Sequence, residues 1–193
     1  MMDKQYAEII EAVNKCRDCE LGSTRKNAVP GEGNIKSVLM FIGEGPGADE
    51  DEQGRPFVGR AGQLLTKILE SVNISREEVY ITNVVKCRPP NNRVPQTAEA
   101  DACKKHLFKQ IALIKPKFIG TLGSTASKFL LGDDIGTISK IRGNWYDFGE
   151  GIKLMPLFHP SYLLRNPSKE PGAPKHHMYN DMKKLKDAYD AAK

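Results

Sequence analysis

Ser37-Val-Leu-Met-Phe-Ile42, running straight into Gly43-Glu-Gly-Pro-Gly47, decides the fold. A short apolar run that does not alternate with polar residues, closed by a glycine-rich turn, reads as a strand buried on both faces. Such strands belong to parallel sheets covered by helices. Downstream, a polar loop is expected over residues 48–59, and Leu64, Leu65, Ile68, Leu69 and Val72 then recur at helical spacing. Residues 79–83 read as a second strand. Residues 97–114 read as an amphipathic helix, N-capped by Thr97, with Cys103, Leu107, Ile111 and Ile114 on one face. A third strand spans residues 118–122 and leads into a short helix ending at Leu131. A fourth, residues 152–158, pairs with residues 144–148 through the Gly149-Glu-Gly151 turn. An opening helix over residues 4–15 carries Tyr6, Ile9, Ile10 and Val13 on one stripe, and a closing helix carries Met178, Met182, Leu185 and Tyr189. Strands alternating with helices imply an α/β fold whose active groups sit at the carboxyl ends of the strands.

The chain has 193 residues, 39% hydrophobic and 27% charged, which suits a single folded domain over residues 1–193 and excludes disorder as its main state. No run reaches the roughly 20 apolar residues needed to cross a bilayer, and the first residues lack the apolar core of a signal peptide. The expectation is a cytoplasmic protein without a membrane partner. Its 29 Lys and Arg against 24 Asp and Glu give +5. Residues 82–118 hold eight of the bases and two acids, whereas residues 44–54 hold five acids and no base. A basic stretch beside an acidic loop suits an enzyme that grips an anionic polymer and keeps carboxylates at its reaction centre.

All four cysteines fit one pattern, Cys16-Arg-Asp-Cys19 followed far downstream by Cys87 and Cys103. Disulfides are disfavoured in a reducing compartment, and Cys16 and Cys19 sit among charges where a buried structural thiol does not belong. A four-thiolate metal site is the better reading. Thiolates serve zinc and iron–sulfur clusters alike, but the irregular separations differ from the paired knuckles of a zinc ribbon and incline the reading toward a cluster.

Gly43-Glu-Gly-Pro-Gly47 lacks the Gly-Lys-Ser/Thr ending of a P-loop and the spacing of a dinucleotide fingerprint, so nucleotide-triphosphate and NAD chemistry lose support. Its glycines still allow backbone N–H groups to approach a ligand, with Asp49, Glu50, Asp51 and Glu52 close behind. Asn83 ends an apolar strand, where an amide offers one donor and one acceptor side. His159 follows the fourth strand and precedes Pro160-Ser-Tyr-Leu-Leu-Arg165, a sequence suited to a proton donor and an apolar wedge against nucleic acid.

Taken together, Gly43-Glu-Gly-Pro-Gly47, Gly54-Arg-Pro-Phe-Val-Gly-Arg-Ala-Gly62, Thr82-Asn-Val-Val-Lys-Cys-Arg-Pro89 and His159-Pro-Ser-Tyr-Leu-Leu-Arg165 closely resemble the family 4 uracil-DNA glycosylases, over residues 16–185. The resemblance implies a three-layer α/β/α sandwich around a central four-stranded parallel sheet, and an enzyme that removes uracil from DNA. It implies a [4Fe-4S] cluster on Cys16, Cys19, Cys87 and Cys103. Gly43, Gly45 and Gly47 with their loop would hold the deoxyuridine, Phe57 would stack on uracil, Asn83 would read its edge and His159 would donate toward O2. Leu163 or Leu164 would fill the space left by the flipped base, while Arg165, Ser124 and Ser161 would meet the DNA backbone.

In some related families an Asp or Asn activates water shortly after the first strand, where this chain has Gly45 and Pro46. Within the resembled family that role falls to Glu50, with Glu44 and Asp51 as backups. The loop at residues 91–95 lacks the basic, histidine-bearing insertion of a covalent-trapping branch, so turnover is expected, ending at an abasic site. Uracil-containing DNA, single- or double-stranded, is the expected partner of a monomer; contact with a replication clamp has no sequence signature. The rival reading is a zinc-stabilised nucleic-acid-binding module without catalysis, which leaves Phe57, Asn83 and His159 without a shared task.

Overall fold

The computed structural model describes residues 1–192; Lys193, the last residue of the expected domain, lies outside the described residues. The chain opens with helices α1 (Met2–Lys15) and α2 (Leu21–Thr24), strands β1 (Glu32–Gly33) and β2 (Leu39–Gly43), and helices α3 (Ala48–Gln53) and α4 (Arg60–Ser71). It continues through β3 (Tyr80–Asn83), α5 (Thr97–Ile114), β4 (Phe118–Leu122), α6 (Ser124–Leu131) and α7 (Ile138–Ile141). It closes with β5 (Tyr146–Gly149), β6 (Ile152–Leu157), α8 (Pro160–Arg165) and α9 (Pro174–Ala191). No helix among the described residues is long and apolar enough to cross a membrane.

The strands form one sheet in the order β1-β3-β2-β4-β6-β5. β3, β2, β4 and β6 run parallel, with Gly43 opposite Asn83 at the end of the β2–β3 ladder. The expected four-stranded parallel sheet is therefore the centre of a six-stranded mixed one, edged by antiparallel β1 and β5. β2 is buried at all five positions, and its side chains alternate between two cores. Leu39 and Phe41 face one, with Leu65 and Leu69 of α4 and Met178, Met182 and Leu185 of α9; Met40 and Ile42 face the other, with Leu107 and Ile111 of α5. The α/β/α layering follows from that period of two. Truncating a fully buried leucine such as Leu65 to alanine costs about 2–5 kcal/mol.

Two local expectations change. The polar loop expected over residues 48–59 begins as α3, because Asp49, Glu50 and Asp51 fill its first turn, where the helix dipole favours carboxylates, and Gly54 ends it in the left-handed region at φ 69°. Thr97 is not the cap of α5. Gln96 occupies that position and Glu99 accepts its backbone N–H at 2.8 Å, closing the turn by a carboxylate instead of a hydroxyl.

Candidate functional site

β2, β3 and β6 deliver Gly43, Asn83 and His159 to one end of the sheet, and the loop between α3 and α4 folds over them. A cavity of about 260 Å³ results, lined by Glu44, Gly45, Gly47, Glu50, Phe57, Asn83, His159 and Ser161. Of the substrate-site residues expected from sequence, only Gly43 is not on that lining, and its role is one of clearance. A Cβ there would lie 2.5 Å from Asn83 Oδ1 and 2.5 Å from Phe57 Cζ, so only glycine lets both side chains close on the strand end.

Phe57 is held in the left-handed region at φ 51° and is nearly buried, its ring centroid 5.9 Å from that of His159. Left-handed backbone on a bulky residue costs on the order of 1–3 kcal/mol, and surrounding structure must hold it. Glu50 is part of that structure. Its Oε1 accepts the backbone N–H groups of Val58 and Gly59, both at 2.9 Å, and its Oε2 accepts that of Gly47 at 3.0 Å. One carboxylate thus ties the glycine loop to the residues that follow Phe57.

The three carboxylates expected as water activators part company here. Glu50 has both oxygens engaged by the backbone. Asp51 does not line the cavity: its Oδ1 accepts Lys26 and Asn27 backbone N–H groups at 3.0 and 3.3 Å, pinning the chain ahead of β1. Glu44 lines the cavity, with Oε2 accepting Thr125 Oγ1 of α6 and no donor to Oε1 among the described residues.

Asn83 is 1% exposed, and its Oδ1 has no hydrogen-bond partner among the described residues. A buried acceptor left unpaired costs roughly 1–3 kcal/mol and calls for a donor that arrives with a ligand. His159 caps α8: its Nδ1 accepts the Ser161 backbone N–H at 3.1 Å and lies 2.8 Å from Ser161 Oγ. With Nδ1 engaged as acceptor, the neutral ring carries its proton on Nε2. Burial, assisted by Arg165 and opposed by Glu50, pushes its pKa down to about 4, so at pH 7 His159 is a neutral N–H donor.

α8 divides the expected DNA-contacting residues. Leu163 is 1% exposed and belongs to the core beside Leu65 and Met178, which removes it as a wedge; Leu164, on the adjacent face, is half-buried and Arg165 is exposed. The helix turn separates them, a distinction the pair of leucines did not disclose. Ser161 lines the cavity, and Ser124 begins α6, one residue before the Thr125–Glu44 contact. Sequence reasoning missed Asn92 and Arg93, which also line the cavity, Arg93 being braced by a two-pronged pair with Glu99 at 2.8 and 2.6 Å. The left-handed Asn91-Asn92 pair was the available signal.

On the α1–α5 side, Cys16, Cys19, Cys87 and Cys103 line a second, narrow pocket, so the four thiols separated in sequence do meet. Arg25 Nη1 donates to Cys87 Sγ at 2.9 Å and the Lys86 backbone N–H to Cys103 Sγ at 3.3 Å. Burial pushes the Cys103 thiol up to about 11 and raises Cys87 as well, with Arg25 opposing at Cys87. Metal binding converts such thiols to thiolates outright. Tetrahedral zinc, with Zn–S near 2.3 Å, would hold its sulfurs roughly 3.8 Å apart. Among the described residues, no three cysteine sulfurs lie within 4.8 Å of one another, and the one donor trio within that limit is Cys16, Asp18 and His106. Four thiols lining one pocket are a donor set that zinc and an iron–sulfur cluster both accept. His106, one helical turn beyond Cys103, also lines this pocket.

Residues 30–183 match the family model of the uracil DNA glycosylase superfamily. The chain is 52% identical to the type-4 uracil-DNA glycosylase of Thermotoga maritima, over 86% of this chain and 88% of that one. It is 48% identical to that of Saccharolobus solfataricus, over 82% and 77%, and 44% identical to that of Archaeoglobus fulgidus, over 83% of each.

Proposed function

From the finding that the chain belongs to the uracil DNA glycosylase superfamily, among its type-4 uracil-DNA glycosylases, we propose how its own residues carry out that work. It is a uracil-DNA glycosylase, a DNA-repair hydrolase acting on N-glycosyl bonds, and the non-catalytic binding module is not favoured. The unpaired Oδ1 of Asn83 carries the reading of the site. Uracil presents N3–H beside O4, so Asn83 accepts from the first and donates to the second. Cytosine offers an acceptor and a donor in those places and leaves both amide groups mispaired. Phe57 supplies an aromatic face for the extruded base, worth about 1–3 kcal/mol per stacked base.

As the glycosidic bond breaks, negative charge spreads over the base, including O2. The Nε2–H of neutral His159 interacts with that charge more strongly than with the ground state, which is the condition for catalysis. Glu44, with a free carboxylate oxygen at the cavity wall, is assigned to hold the attacking water against the cationic sugar. Glu50, first choice from sequence for that task, is assigned to bracing Phe57 instead. No lysine lines the cavity among the described residues, which supports hydrolysis that stops at an abasic site. Leu164 takes the place of the flipped base, and Arg165, Ser161 and Ser124 meet phosphates.

Cys16, Cys19, Cys87 and Cys103 would hold a [4Fe-4S] cluster, which would supply a cross-link between the end of α1, the segment after β3, and α5. A monomer at work in the cytoplasm completes the proposal. Incubation of the purified protein with a uracil-containing oligonucleotide, then alkali, tests it: free uracil and strand cleavage only after alkali are expected, and DNA binding without uracil release would contradict it.

A further inference from the structure

One residue on the wall of the cysteine pocket, Lys86, carries a buried amine whose task that pocket does not explain. Lys86 is 1% exposed, three residues after Asn83 and one before Cys87. Its backbone N–H points to Cys103, as described, while its side chain turns back toward β3. Nζ donates to the backbone carbonyl of Asn83 at 2.8 Å, to Gln110 Oε1 of α5 at 2.7 Å and to Thr82 Oγ1. Three oxygens thus surround the Lys86 amine within hydrogen-bond reach. The acceptors are themselves held: Thr82 Oγ1 donates to Pro30 O at 2.7 Å, and Gln110 Nε2 donates to Pro30 O at 2.8 Å and Tyr80 OH at 3.1 Å.

Burying an amine is costly in either protonation state, and an apolar side chain would fill the same volume without that cost. What the lysine adds is a fixed donor beneath the residue that reads the base. The β2–β3 register ends at the Gly43–Asn83 pair; the Val84 N–H donates back to the Gly43 carbonyl at 2.9 Å, and the carbonyl of that same Asn83–Val84 peptide is the one that Lys86 Nζ takes. With its N–H on Gly43 and its carbonyl on Lys86, the Asn83–Val84 peptide is held at both ends, and with it the Cα–Cβ direction from which the Asn83 amide extends. The same residue touches a cysteine ligand through its backbone. We propose that Lys86 is a positioning residue for base recognition, holding Asn83 in its reading orientation and anchoring that orientation to the cysteine-bearing segment. The proposal rests on Asn83 as the uracil reader.

A double-mutant cycle tests it, with single-turnover uracil excision and iron content measured for each variant. Lys86→Met is expected to slow excision at least tenfold at unchanged iron content, and to have less than a twofold effect in an Asn83→Ala background. A purely structural lysine would give equal losses in both backgrounds, and that result, or an undiminished rate in Lys86→Met alone, overturns the proposal. If Lys86→Met loses its iron, Thr82→Val, which removes one Nζ acceptor and leaves the amine, decides by the same cycle. A smaller loss confined to the background with Asn83 intact supports the proposal, and equal losses overturn it. Should the unaltered protein release no uracil, the functional reading fails and this inference with it; additivity in an active enzyme removes this inference alone.

Discussion

The base cavity and the cysteine pocket sit on the same α/β frame and treat polar groups in opposite ways. At the cavity, Asn83 Oδ1 is buried without a donor and Phe57 is held in left-handed backbone, so local energy is given up where a ligand can restore it. At the cysteine pocket, donors from Arg25 and Lys86 already reach two sulfurs, and Arg25 also bonds the carbonyls of Val13, Asn14 and Cys16 at the end of α1. One region is prepared for a visitor; the other fastens the N-terminal helix to the rest. Substitutions in the first should change chemistry more than stability, and those in the second the reverse.

The largest effect on rate should come from Asn83→Ala. Losing both hydrogen bonds to the uracil edge is expected to slow single-turnover excision by about 10⁴-fold, the scale on which buried polar recognition discriminates. Retention of more than a tenth of the rate would remove Asn83 from the comparison. Next, His159→Ala should lose about 10²–10³-fold in rate while still binding uracil-containing DNA, and 5-fluorouracil, a better leaving group, should recover part of the loss.

The His159 ring also has a pH signature. Its pKa falls from the ordinary 6.5 to about 4 on folding, so between those values the unfolded chain binds a proton that the folded one does not. The stability it contributes is complete above pH 6.5 and is lost as pH falls toward 4. His159→Ala should therefore show a shallower decline in melting temperature across that window, and an unchanged slope would argue against the buried neutral ring.

Leu164→Ala should cost roughly tenfold on paired duplex and little on single strands, since only the duplex needs the vacated space filled. Equal losses on both substrates would place Leu164 in the core with Leu163. The smallest effect on rate, under about tenfold in the fraction that stays folded, is expected for Cys16→Ala. Its iron content and melting temperature should fall instead, as they do when a ligand of a structural metal site is lost. A variant with normal stability and a lost chemical step would invert the comparison.

What could be read from the sequence was whatever leaves a local pattern. The five-residue apolar run of β2, the glycines behind it and the cysteine count each speak through neighbours in the chain. β1 did not, because two residues, Glu32 and Gly33, join the sheet by backbone pairing alone and need no apolar signature. α3 was hidden for the same reason: its Ala-Asp-Glu-Asp-Glu-Gln sequence has no apolar stripe and is held by its caps. At the site, residue types pointed to Phe57, Asn83 and His159, but not to the division of labour among Glu44, Glu50 and Asp51. That depends on which backbone N–H groups each carboxylate meets. Lys86 looked like one more base in a basic stretch, and only the surrounding fold shows it buried.

The central claim, that the cavity recognises uracil through the vacant acceptor of Asn83, is tested most directly by a crystal structure of the protein with uracil-containing DNA. The account predicts the flipped base against Phe57, with Asn83 Oδ1 within about 3.2 Å of uracil N3, a normal hydrogen-bond distance. An Asn83 amide bonded only to protein, with the uracil edge read by other residues, would contradict it.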